Sequence, residues 1–366
     1  MIAFIRELLL RWVSVVPVLA IVVLVFTWER SLPGFVIAVV VVLLAGAVLA
    51  AVHHAEVVAH RVGEVFGSLI LAVAVTIIEV GMIVALSIDG GTKAQTLGRD
   101  TVFAAVMVTC NGIVGLSLLI GALRRHVAEF NAEGAGAALA TVITLATMSL
   151  VVPTFTTTHA GPQFSPAQLA FASVASLVLY GLFVLVQTKR HRDYFLPVAA
   201  EQDFVNVDKE SARPSVNAAL ISLALLVVAL IAVVGDAKIV SPAIEAGVEA
   251  ARLPQSVVGV VIALLVLLPE TVAAARAAQR DRVQTSLNLA FGSAIASIGL
   301  TIPAIAVASI WIGQPLVLGL GGTQMVLLAL TAVVSVLTVL PGRATLMQAG
   351  MHLLIFVAYL FLAASP

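Results

Sequence analysis

Charge is what this sequence has least of. Asp, Glu, Lys and Arg make up only 10% of its 366 residues, where water-soluble domains carry about 25%. Too few polar side chains remain to cover a globule in water, which excludes most soluble enzymes and nucleic-acid binders. The 19 basic and 19 acidic residues balance, so no nucleic acid or other polyanionic partner is implied. Cysteine is nearly absent as well. Cys110 stands alone, which rules out an internal disulfide framework and leaves the redox compartment unreadable. There is no Walker A sequence to bind a nucleotide, no GxSxG nucleophile elbow and no row of spaced arginines such as a voltage sensor needs. No cofactor is expected. What is present is apolar: 61% of the residues, with a mean hydropathy of +1.15. That is the composition of a chain whose solvent is the lipid bilayer.

A membrane-spanning helix needs about 20 predominantly apolar residues. Eleven such stretches follow one another, near 12 to 28, 33 to 52, 66 to 88, 101 to 123, 137 to 153, 166 to 187, 216 to 235, 255 to 275, 286 to 310, 323 to 340 and 347 to 364. The first follows Arg6 and Arg11 as a signal peptide would, yet it lacks a small-residue cleavage site and is flanked by Trp12 and Trp28 in the manner of interfacial anchors. It reads as a retained helix. Basic residues collect on the cytoplasmic side of membranes. With the N-terminus inside, 14 of the 19 fall there, leaving Arg30, Lys93, Arg99, Lys238 and Arg252 outside.

The expectation is therefore an all-α polytopic membrane protein of about eleven transmembrane helices. The longest polar stretch, Thr188 to Pro214, mixes five bases with five acids and reads as a cytoplasmic linker. It divides the chain into an N-terminal helix (1–30), a first group of five helices (31–187), the linker (188–214) and a second group of five (215–366). Five spans begin and end on opposite sides, so two related groups must be inverted repeats, an architecture common among secondary transporters.

The halves resemble each other where ionisable groups enter the apolar runs. LILAVAVTIIEVGMIVAL precedes FAAVMVTCNGIVGLSLLIGAL in the first half, and VVIALLVLLPETVAAARAA precedes LNLAFGSAIASIGLTIPAIAV in the second. Each pair holds one glutamate, Glu79 or Glu270, followed by a helix with a small, polar middle, Thr109 to Gly115 or Gly292 to Ser297. An acid at mid-bilayer costs about 2.5 to 3.5 kcal/mol on insertion scales. Pro269, just before Glu270, removes a backbone hydrogen bond and frees a carbonyl. Two facing carboxylates repel when both are ionised, so at least one holds a proton. A Ca²⁺ ion or two protons neutralise the same pair, and competition between those loads is the physical basis of antiport. Calcium takes six to eight oxygens, which Thr76, Asn111, Thr271 and Ser293 can supplement, although hydroxyls at helix contacts also serve packing.

The segment HHAEVVAHRVGE, His53 to Glu64, meets the cytoplasm at the end of the second span. His53, Glu56 and His60 fall on one helical face. Neither zinc-protease order, H-E-x-x-H nor H-x-x-E-H, is present. The readings left are a juxtamembrane polar face, or a gating and proton-handling cluster of His53, Glu56, His60 and Glu64 that uses the physiological range of histidine. An intramembrane metal-dependent enzyme built on these residues is the reading from another class, and a passive channel is a third. Neither of those two accounts for two matched glutamates.

Together, HHAEVVAHRVGEVFGSLILAVAVTIIEVGMIVALS, TCNGIVGLSLLIGAL and NLAFGSAIASIGLTIPAIAV resemble the calcium/proton exchanger family, specifically its bacterial ChaA-type branch, over most of the chain. The resemblance implies two inverted repeats in a bacterial inner membrane. Each contributes one essential glutamate, Glu79 and Glu270, to a shared cation and proton site. Related exchangers usually write that motif G-N-x-x-E, with a histidine after the second glutamate. Here it reads VTIIE and VLLPE, with Thr271 following. The missing asparagines take away two calcium ligands. The expectation is a cation/proton antiporter with Ca²⁺ as the first choice and Na⁺ or K⁺ as the alternative. Its partners are lipid, inorganic cations and protons, and its oligomeric state is not readable.

Overall fold

A computed structural model describes residues 2–28, 30, 32–62, 64–89, 95–196, 214–312 and 315–365. Nearly all of them are helical. The elements are α1 (Ile2–Thr27), α2 (Gly34–Val62), α3 (Glu64–Asp89), α4 (Leu97–Met107), α5 (Val114–Arg125), β1 (Ala128–Glu129), α6 (Ala132–Ala146), α7 (Val152–Phe155), α8 (Pro166–Leu185), α9 (Val216–Ala250), α10 (Ser256–Val266), α11 (Leu268–Gln279), α12 (Val283–Ile312), α13 (Gly322–Val339), β2 (Arg343–Ala344) and α14 (Leu346–Ala364). Lipid offers backbone groups no hydrogen bonds, so uninterrupted helices are what apolar runs of this length must form. Side-chain caps set where several begin. Ser165 and Thr345 open α8 and α14 with capping boxes closed by Gln168 and Gln348, Ser215 caps α9 at Ala218, and Asn131 accepts from Glu133 and Gly134 at the start of α6.

Eight described helices are long and apolar enough to cross a membrane, and the bent pair α10–α11 makes a ninth. The expected spans 12 to 28 and 66 to 88 fall on α1 and α3, each 26 residues long, whose apolar stretches among the described residues are Trp12–Thr27 and Ala72–Leu86. By this criterion, eleven is not reached among the described residues. Large apolar side chains face outward, among them Phe35 at 74% exposed and Trp311 at 79%, as lipid-facing surfaces require and soluble ones avoid. Of the expected linker, Thr188–Arg190 ends a π-turn on α8 and Arg192–Phe195 forms a 3-10 turn, while 197–213 lie outside the described residues. The seventh span does not stop at 235. Helix α9 runs on for 35 residues, with Pro242 inside it.

The chain packs as two compact units, Met1–Gly91 with Ala212–Leu253, and Thr92–Ser211 with Pro254–Pro366. Each unit thus draws on both sequence halves. In the first, α1, α2 and α3 pack on α9. Glycines permit the approach: Gly235 lies against Leu24, Gly81 against Val234 and Gly46 against Val16. The second unit centres on α4–α5, α12 and α14, with strands β1 and β2 pairing antiparallel at one edge. At the turn after α11, Arg124 donates through Nε and Nη2 to Asp281, and Arg125 comes within 3.5 Å of the same carboxylate. The Arg124 hydrogen bond holds the Asp281 carboxyl below its usual range.

Packing at glycine yields a direct test. A Cβ on Gly259 would come within 2.8 to 2.9 Å of the backbone at Asp100 and Thr101, where nothing flexible can yield. Gly259→Ala should cost about 1–3 kcal/mol. Gly181, on α8 with open space around it, should tolerate alanine or gain up to about 1 kcal/mol. Thermal unfolding of both variants in detergent checks the contrast.

Candidate functional site

In the first unit Glu79 lies two-thirds of the way along α3 and is 2% exposed. Thr76 precedes it by three residues, on the same helical face. The Thr76 hydroxyl donates to the Ala72 carbonyl at 2.8 Å, which leaves its oxygen lone pairs able to accept or ligate.

The second unit treats its glutamate differently. Helices α10 and α11 meet at a 52° bend. Pro269 has no N–H to offer the Leu265 carbonyl, so the helix breaks at Leu267 and starts again at Leu268. Glu270 falls in the first turn of the new helix, where the exposed N–H groups and helix dipole favour negative charge. Thr271 donates its hydroxyl to Leu267 O at 2.7 Å. Ser293, on α12, keeps a buried Oγ with no hydrogen-bond partner, and so does Ser297 one turn on. The sequence reading picked Ser293 and passed over Ser297, although the i, i+4 spacing was the signal for both.

Asn111 occupies a π-turn, Val108–Ile113, that joins α4 to α5. Such bulges are frequent at functional positions. The turn packs against α11, α12, α13 and α14. The amide of Asn111 is heavily engaged: Nδ2 donates to Thr331 Oγ1 at 2.9 Å, and Oδ1 accepts from His352 Nδ1 at 3.3 Å. His352 Nε2 in turn lies 3.2 Å from Thr338 Oγ1. All four residues are buried. Gly112 and Gly115 make room for Phe356 and for His352 and Leu353, so the small residues of this patch serve as the docking face for α14. Asn111 Oδ1 retains one lone pair for a cation. Nothing local in the sequence marks His352, whose partner is 241 residues away.

The elements carrying Glu270, Thr271, Ser293 and Asn111 therefore pack together within one unit, and Glu79 and Thr76 share a face in the other. On α2, His53 is half-buried while Glu56 and His60 are exposed. Glu64 opens α3, and its side chain lies outside the described residues. The histidine that enters the core is His54, whose Nε2 donates to Val13 O at 3.1 Å. Among the described residues no three His, Cys, Asp or Glu side chains come together as a metal centre. His53, Glu56 and His60 thus share a helical face without forming a zinc site.

The family model described as sodium/calcium exchanger protein matches residues 31–189 and 221–364. The chain belongs to the sodium/calcium exchanger family. Among curated proteins it is 44% identical to a putative ionic transporter, y4hA, of Sinorhizobium fredii over 97% of this chain and 96% of that one. It is 36% identical to the sodium-potassium/proton antiporter ChaA of Escherichia coli over 94% and 93%. Among solved structures its fold matches native YfkE with a TM-score of 0.72 at 16% identity, covering 98% of this chain and 99% of that one. The H⁺/Ca²⁺ exchanger CAX matches with a TM-score of 0.69 at 16% identity, covering 97% and 88%. This is a family of membrane transporters rather than enzymes, and cation exchange is the activity that goes with it.

The unspent and the committed polar groups predict different mutant behaviour. His352→Leu strands the Asn111 and Thr338 oxygens and should cost about 1–3 kcal/mol of stability. Ser293→Ala breaks no hydrogen bond and removes a buried hydroxyl that has no partner, so stability should hold or rise by up to about 1–3 kcal/mol while cation affinity falls. Unfolding and cation-binding measurements on both variants check this. Equal destabilisation by Ser293→Ala would make that hydroxyl structural.

Proposed function

We propose that this protein is a secondary active antiporter exchanging an inorganic cation for protons by alternating access, with Glu79 and Glu270 taking the cation or the protons in turn. The observation that carries this reading is the placement of one glutamate in an apolar helix of each half, Glu79 almost fully buried and Glu270 on the first turn beyond a helix break, in a chain of an exchanger family. Two carboxylates can be neutralised by one divalent ion, by two monovalent ions or by two protons, so each load excludes the other. Inverted five-helix repeats, with the N-terminus and the central linker cytoplasmic in a bacterial inner membrane, fit this reading. The family model's two matched blocks on either side of the linker support it.

Calcium is the first reading of the ion. Oxygens on Thr76, Thr271, Ser293 and Ser297 can add to the carboxylates toward a calcium shell, and the structural neighbours CAX and YfkE are named as calcium/proton proteins. Sodium or potassium is the second. The curated relative at 36% identity is named for those ions, and neither glutamate motif here has the asparagine that would give calcium two more oxygens.

The test is proton movement in vesicles under an imposed pH gradient, with Ca²⁺, Na⁺ and K⁺ added in turn. Glu79→Gln and Glu270→Gln should each abolish cation-driven proton flux while the protein still inserts, since Gln keeps the volume and loses the titratable charge. Normal exchange in either variant sinks the proposal.

Competition also fixes a sign with pH. Protons and cation load the same groups, so apparent cation affinity should weaken as pH falls. Each proton that must leave contributes up to tenfold per pH unit. A limiting slope near a hundredfold per unit marks exchange of one Ca²⁺ for two protons, and one near tenfold marks a monovalent ion replacing one. Affinity measured across pH in purified protein distinguishes them, and a flat profile for every cation excludes a shared site.

A further inference from the structure

Helix α9 carries an acid that the exchange reading does not use. Asp236 is fully buried, and neither carboxylate oxygen has a hydrogen-bond partner. It belongs to a buried stripe, Ser222, Leu226, Ala229, Val233, Asp236 and Val240, whose three- and four-residue spacing faces it into the first unit. Its neighbours on α9 locate it. Gly235 abuts Leu24 of α1, and Val234 abuts Gly81 of α3, so Asp236 lies within a turn of both helix contacts.

Other charged groups on the surrounding helices are few. The stretch of α1 from Trp12 to Thr27 has no titratable side chain. On α2 the titratable and charged groups are His53, His54, Glu56, His60 and Arg61, at its C-terminal end. His54 bonds to Val13, eleven residues from Leu24, or about 16 Å along α1 at 1.5 Å per residue. On α3 the acid between Ile70 and Leu86 is Glu79, two residues from Gly81. On α9 itself Lys238 is directed to Trp28, 5.1 Å from the ring centroid, and Glu245 and Glu249 lie two turns and more beyond.

A buried ionised carboxylate without a partner is too costly to keep. A metal ion would need four or more further oxygens, and neither carboxylate oxygen has a hydrogen-bonding group beside it to begin such a shell. A proton needs none. We propose that Asp236 is a proton-binding site separate from Glu79 and Glu270, loaded in this conformation and released when the first unit rearranges to admit water.

Infrared spectroscopy tests the loading without relying on transport. In a Glu79→Gln/Glu270→Gln background at neutral pH, the carbonyl stretch of a protonated carboxylic acid should be present, and adding Asp236→Asn should remove it. Asp236→Ser provides the same comparison should the Asn variant fail to assemble. A band that persists undiminished overturns the proposal. The release step rests on the exchanger reading and is tested by self-exchange of radiolabelled calcium or sodium in vesicles, at saturating cation and equal pH on both sides. There the glutamates stay loaded with cation, and the remaining pH dependence belongs to other groups. Asp236→Asn should remove up to tenfold per pH unit of that dependence, the contribution of one proton, while Asp236→Glu retains it. Identical profiles for wild type and Asp236→Asn would make the group a static buried acid and overturn its release. Absence of any cation flux in wild-type vesicles would count against the exchanger reading while leaving the infrared result standing.

Discussion

Lipid neither donates nor accepts hydrogen bonds, and that single constraint organises this molecule. Backbone groups must be satisfied inside each helix, so the apolar runs become long helices, and capping side chains from Asn131, Ser165, Ser215 and Thr345 serve the amides that the first turns leave over. Many polar side chains caught within the helices obey the same rule. Thr76, Thr109, Ser117, Thr141, Thr144 and Thr271 each donate to the carbonyl four residues back, which lets a hydroxyl live in an apolar helix without help from a neighbour. Asn111, with a two-sided amide, cannot do this alone and draws Thr331 and His352 from two other helices.

Some buried groups are left over, the hydroxyls of Thr101, Ser173, Ser241 and Ser335 among them. Ser293, Ser297 and Asp236 are buried polar groups left without hydrogen bonds, each at a cost of the order of 1–3 kcal/mol or more. Their state follows if something other than protein completes them. A cation suits neighbouring hydroxyls on the helix that packs against α11, and a proton suits an isolated carboxyl.

The membrane class and nearly every helix were legible in the sequence, because each is a local signal. Apolar runs and single acids within them need no knowledge of what packs where. Asp236 escaped because a local rule misled. It stands one residue past the end expected for the seventh span, while the structure carries the helix fifteen residues further and turns Lys238 to Trp28 and the acid inward. His352 escaped for the opposite reason: its immediate sequence neighbours, Ala349 to Met351 and Leu353 to Val357, give no polar signal, and only tertiary packing brings it to Asn111. The helix break at Leu267 was half legible. Pro269 announced a lost hydrogen bond, but proline at that point is also compatible with a mild kink, and the 52° bend is a property of the packed unit.

The two small, polar patches show how similar sequence can serve different ends. Thr109 to Gly115 and Gly292 to Ser297 look alike on paper, each combining glycine with hydroxyl or amide groups. In the first, Gly112 and Gly115 are filled by Phe356, His352 and Leu353, Asn111 is bonded on both sides, and Thr109 donates within its own helix. That patch is a helix interface whose amide and hydroxyl already make hydrogen bonds. In the second, Gly292 has open space around it, and Ser293 and Ser297 keep their hydroxyls uncommitted. A transported ion must shed water and find oxygens that are not already spent. For the cation exchange proposed above, the α12 patch is the one with uncommitted hydroxyls, and the α4–α5 patch packs the surrounding helices.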